Sequence, residues 1–193
     1  MRGLVKRAAA VSTAALGAIA LVGAGASAAH AAVASGSVTL TVSSSFISQM
    51  VHAGVILVPQ NAASVTYNSN GSVTIVYTAT GGDANLQNFA GTISYAGSIL
   101  GFSLNGRTVN LGGLLFDLTD AQFDGQTTTS GETPLVDLGG ALSASISGST
   151  QNFGATSTQI DAAGAALLDS ALHTSVFTAG QSVGSFAATW TVA

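Results

Sequence analysis

From residue 38 onward, apolar and polar positions alternate in one short segment after another. Val38, Leu40 and Val42 fall on one face, as do Val73, Ile75 and Tyr77, and then Ile93 and Tyr95. The closing stretch "SFAATWTV" repeats the rhythm with Phe186, Ala188, Trp190 and Val192. A period of two built from β-branched and aromatic residues predicts half-buried strands. Gly, Ser and Thr punctuate these strands, and the chain has two prolines. In "GFSLNGRTVNL", Asn105-Gly106 predicts a type I′ turn joining Phe102 and Leu104 to Val109 and Leu111, which makes a hairpin.

Two segments depart from this rhythm. In 43–53, "SSSFISQMVHA", the residues Phe46, Ile47, Met50 and Val51 recur at helical spacing. In 161–173, Leu167, Leu168, Ala171 and Leu172 do the same, with Asp161 placed as N-cap. At a shift of 121 the two segments align, Phe46 with Leu167 and His52 with His173. Apolar pairs follow both, Val55-Ile56 and Val176-Phe177, so strand–helix–strand is expected near each end. Helices this short are not stable alone and need a sheet to cover their stripes. The prediction is a mainly β fold, a β-sandwich or flattened barrel with two short α-helices closing its ends. In it the Phe46/Met50 stripe is either a plug or the wall of a ligand site.

The first 31 residues are set apart from this fold. A basic start (Arg2, Lys6, Arg7), an apolar run and the small residues around Ala29-His30-Ala31 have the order of a secretory signal peptide. Cleavage is expected after Ala31, with Ala28 as the second candidate. That leaves 32–193 as a single domain, secreted or held at the cell wall, with no membrane span after signal removal. Removing the leader also changes the electrostatics. Eight carboxylates then face one basic side chain, Arg107, for a formal charge of −7. Nucleic-acid binding is excluded, because Lys and Arg must replace the counterions of phosphate. The chain has no cysteine, so an exported domain of this size relies on its core without disulfides.

Few residues suggest chemistry. His52 and His173 lie beside their apolar stripes, each near the last turn of its helix. No second ligand stands near either one, and a metal site needs several donors. "DLTDAQFDG" gathers Asp117, Asp120 and Asp124, but the spacing lacks the alternation of a calcium loop. These three read as solvated edge charges around a turn. No nucleophile elbow is expected, and the chain contains no H-E-x-x-H, P-loop or G-x-G-x-x-G. Neither histidine has an acid placed to orient it. No catalytic residue and no metal ligand is assigned, and a non-enzymatic role is expected.

Three stretches carry a resemblance to a known family. "SSSFISQM", "FAGTISYAGS" and "DAAGAALLDSALHTSVFTAG" are similar to the HtaA-type domain of secreted and surface haem-uptake proteins of Gram-positive bacteria. The resemblance implies a many-stranded β fold with two short helices, and haem bound at two motif positions. In the family a tyrosine follows Ser-Phe by three residues as axial ligand; here Ser45-Phe46 match and Gln49 takes its place. A supporting histidine follows glycine on a mid-chain strand; here Gly97 matches and Ser98 replaces the histidine. The resemblance therefore places a ligand site at Phe46, Gln49 and Ser98, with Met50, His52 and His173 as secondary candidates. A phenolate coordinates ferric iron and an amide does so feebly. No cofactor is assigned, with haem as the alternative. The expected partner is a protein or a small apolar ligand, and a self-associating surface protein is the third reading.

Overall fold

The structure, a computed structural model, describes residues 32–193; the signal peptide expected over 1–31 lies outside the described residues. In chain order the elements are β1 (Val33–Val42), α1 (Ser44–His52), β2 (Val55–Gln60), β3 (Ser64–Tyr67), β4 (Val73–Gly82), β5 (Thr92–Tyr95) and β6 (Ser98–Ser103). There follow β7 (Thr108–Asp117), β8 (Gln122–Gln126), β9 (Thr133–Ser147), β10 (Thr150–Ile160), α2 (Ala162–Leu172) and β11 (Ser182–Val192). All neighbours are antiparallel. The order β7-β5-β4-β1-β11-β10-β9-β8 closes on itself through the β7–β8 pairing, giving an eight-stranded barrel. β6 and then β2 extend from β7 as a flap, and β3 pairs only with β4. Closure removes most sheet edges; those left at β2 and β3 are short, and β2 carries Pro59.

The alternation seen in the sequence points one side chain in two into the barrel. Val38, Tyr77, Phe116 and Trp190 are fully buried there. Phe116 packs against Phe186 and Phe153 with ring centroids 4.9 and 5.2 Å apart, within the range of favourable tilted pairs. One barrel end is filled by Leu86 from the β4–β5 loop. Its N–H bonds Gln151 Oε1 at 2.6 Å, and Trp190 Nε1 donates to Ala84 O at 3.0 Å. A second core forms outside the other end, where Phe46, Met50, Val55, Leu111, Leu168, Leu172 and Phe177 lie under the helices and flap.

Three Gly-Gly pairs shape the barrel. Register shifts fall between Ala79 and Gly81 in β4, just before its Gly-Gly pair, and at Gly112-Gly113 in β7 and Gly139-Gly140 in β9. Such bulges bend strands and raise their twist, as closure requires. Gly113 (φ +55°) has a specific task. Thr108–Leu111 pair with β6 in the flap, whereas Gly112–Asp117 pair with β5 and β8 in the barrel, so β7 turns between sheets there.

Three local expectations are corrected. The β6–β7 hairpin exists, but its turn is not type I′. Gly106 N–H donates to Ser103 O and only Gly106 has positive φ, the pattern of a type I turn followed by a left-handed glycine. Asn105 is thereby freed to reach α2, donating from Nδ2 to Leu172 O and His173 O at 3.0 and 3.2 Å. Val176-Phe177 is not a strand, since no partner strand lies beside it; Phe177 is a buried core residue, its N–H held by Asp169 Oδ1. Asp124 is not a solvated charge. The register shift at Phe123/Asp124 breaks the alternation, and both side chains are buried.

Candidate functional site

α1 starts where it does because Ser43 Oγ accepts from Phe46 N–H. It stops at Gly54, whose φ of +71° ends the helix and turns the chain into β2. Nine residues of helix do not cover the barrel mouth. Between them lies a cavity of about 330 Å³. Leu40, Ile75, Phe123 and Val183 of the barrel form its floor, and Phe46, Ile47, Met50 and Val51 of α1 form one wall. Val55–Pro59 form another wall as an unbroken run, because β2 is an outermost strand that pairs with β6 alone. The rim is apolar and open to solvent: Val51 is 61 % exposed, Ile56 52 % and Tyr67 81 %. The polar residues in the lining are Thr41, Thr158, Ser185 and Tyr67, and no charged residue is among them.

The structure places the predicted site residues in separate settings. Phe46 and Met50 are buried and line the cavity. The α1 stripe is thus both a plug and a wall, since its other half, Ile47 and Val51, faces open space. Gln49 is exposed on another side of α1, its Oε1 accepting from Gln181 Nε2 at 2.9 Å. Ser98 sits opposite Gln60, at the far end of the β2–β6 ladder from the α1 connection, where Ser103 faces Val55. Its carbonyl accepts from Tyr77 Oη at 3.1 Å, and neither Ser98 nor Gln49 lines the cavity. His52 is exposed, with Nδ1 2.7 Å from Ser48 O in its own helix. His173 is the left-handed C-cap of α2 (φ +51°), with its backbone N–H bonded to Asp169 O.

Chemistry elsewhere is sparse. Among the described residues no group of three or more His, Asp or Glu could hold a metal ion. Gly180-Gln181-Ser182-Val183-Gly184 spells G-x-S-x-G, the nucleophile-elbow pattern. That motif needs a strand running through a sharp turn into a helix. Here a turn runs into β11, and Ser182 is exposed at the start of the strand. Asp124 is 4 % exposed and its Oδ1 has no hydrogen-bond partner. Burial, reinforced by Glu132, Asp117, Asp120 and Asp161, pushes its carboxyl up to about 6. Burial also raises both tyrosine phenols of the barrel, Tyr77 to about 12 and Tyr95 further, and Tyr95 Oη is unpartnered.

The cavity itself was hidden from the sequence because its floor comes from strands distant in the chain. One signal was present. "VILVP" at 55–59 is a continuous apolar run without alternation, unlike an edge strand with one wet face.

No family model and no curated protein matches the chain. Solved structures do. The C-terminal domain of HtaA from Corynebacterium glutamicum superposes with a TM-score of 0.60 at 16 % identity, over 84 % of this chain and 99 % of that one. The N-terminal domain of the same protein gives 0.52 at 12 % identity, over 83 % and 98 %. The chain therefore has an HtaA-like fold.

Proposed function

Taking that fold as the premise, we propose that residues 32–193 form a non-enzymatic binding module that holds a small apolar ligand. The module is exported behind the leader 1–31 and acts outside the cell or at its wall. The observation that carries this reading is the 330 Å³ cavity with an apolar, solvent-open rim. Its volume falls within the usual range of ligand sites, about 300–1,000 Å³. Apolar surface left facing water forgoes roughly 25 cal/mol for each Å² that an occupant would cover. The isolated settings of His52, His173 and Ser182 argue against hydrolysis.

Haem by divergent ligation is the second reading, favoured by the fold and by Phe46 and Met50 in the cavity wall. The family's ligand positions do not suit it, because Gln49 is turned away toward Gln181 and Ser98 lies outside the cavity. Among the lining groups, the Met50 thioether and the Tyr67 phenol are those with affinity for haem iron.

The test is a titration of purified 32–193 with haemin, followed by absorbance, beside one with the apolar fluorophore N-phenyl-1-naphthylamine. Saturable fluorophore binding without a saturable Soret band is expected. A Soret band lost in Tyr67→Phe or Met50→Leu would install the haem reading. No binding of either probe, or a hydrolase activity dependent on His52 or His173, would defeat the proposal.

A further inference from the structure

We infer that the cavity beneath α1 is built for the uncharged alkyl chain of a neutral lipid or ester, entering past Val51, Ile56 and Tyr67. This rests on the binding-module reading and goes further by naming the class of ligand.

Three observations lead to it. First, the lining is overwhelmingly Leu, Ile, Val and Met, with rings only at Phe46, Phe123 and Tyr67. Packing of this kind suits methylene groups, each worth about 0.8 kcal/mol on burial. Met50 adds a side chain that can follow an irregular shape.

Second, the cavity is small and deep. It runs from the exposed rim at Tyr67 and Ile56 down to Phe123, Ile160 and Leu168, which are at most 4 % exposed. At about 330 Å³ it stands at the small end for ligand sites, which favours a slender occupant over a broad one.

Third, nothing in the lining would pair with a charge. Outside the leader the sequence contains one basic side chain, Arg107. It is exposed next to the β6–β7 turn and does not line the cavity. An anionic head drawn into the cavity would lose hydration with no cation to replace it. The chain's formal charge of −7 beyond the leader, eight carboxylates against Arg107, opposes an anion further. The hydroxyls of Thr41, Thr158 and Ser185 can serve an ester or alcohol oxygen, and these are the polar groups that a neutral lipid offers.

Displacement of N-phenyl-1-naphthylamine from 32–193 tests this, using methyl laurate, ionised laurate at pH 8 and haemin as competitors below their aggregation limits. Methyl laurate is expected to displace the probe at a concentration at least tenfold lower than laurate. Two variants locate the site. Leu57→Trp fills the cavity, and Ile56→Asp puts a carboxylate at an already exposed rim position. Each should weaken methyl laurate at least tenfold, and retention of the β circular-dichroism spectrum separates this loss from misfolding. Equal potency of laurate and its ester would overturn the inference, as would undiminished methyl laurate binding in a folded Ile56→Asp protein. If haemin displaces the probe and methyl laurate does not, the alkyl assignment falls while the binding module stands. If the probe never binds, both fall.

Discussion

Asp124 shows how one side chain can oppose the fold that contains it. It is held at 4 % exposure with an unpartnered Oδ1 because a bulge turns two consecutive residues inward. Its folded carboxyl, raised to about 6, lies above the ordinary value of 3.8 that the unfolded chain keeps. Below that ordinary value both states are protonated and the residue costs nothing extra. Between the two values the unfolded chain has released its proton while the folded one retains it, so stability falls as pH rises. Above about 6 the full penalty is in place. Asp124→Asn should remove that penalty. The variant is expected to gain roughly 1–3 kcal/mol over the parent at pH 7.5, and little at pH 4. Urea unfolding at the two pH values measures it, and a variant less stable than the parent at pH 7.5 would contradict this account.

At the scale of elements, the helices are held by contacts from neighbouring strands. α2 lies against β9 so closely that a Cβ on Gly164 would come within 2.8 Å of the carbonyl oxygens of Leu135 and Pro134. Its C-terminal carbonyls, which a helix cannot satisfy internally, are met by the β6–β7 hairpin through Ser103 Oγ and Asn105 Nδ2. Asn105 thus ties the flap to α2 and so helps to fix β2, one wall of the cavity. Asn105→Ala is expected to cost about 1–2 kcal/mol in denaturant unfolding. It should also speed amide exchange at the end of α2, whereas Asn105→Asp, which keeps the acceptor but not the donor, should behave like the alanine. Unchanged exchange in both would show that the hairpin does not hold the helix.

For the molecule as a whole, the barrel and the helix-covered core meet at the cavity, so an occupant would touch both. Anything that binds the folded state alone stabilises it by mass action, about 2.7 kcal/mol at a free concentration of 100 Kd. For a domain of this size that corresponds to a Tm increase of about 5–10 °C. Thermal unfolding with and without methyl laurate should show the rise in the parent and lose it in Leu57→Trp. A rise of equal size in both would place the ligand elsewhere.

The sequence by itself determined the strand-dominated class, the two helices, the N-cap of α2, and the buried faces of β1, β4, β5 and β11. These follow from local periodicity and capping, which need no knowledge of distant partners. Asp161 caps α2 as its position predicts. Only the tertiary structure decided that the sheet closes, that β7 divides between flap and barrel, and that Asp124 is buried. It alone brought Val51, Ile56, Tyr67 and Val183 around one cavity. Gln49 and Ser98, paired by motif, were set apart because their positions depend on strand register and helix rotation. Those quantities are set by pairings between residues far apart in the chain, and no single segment carries them.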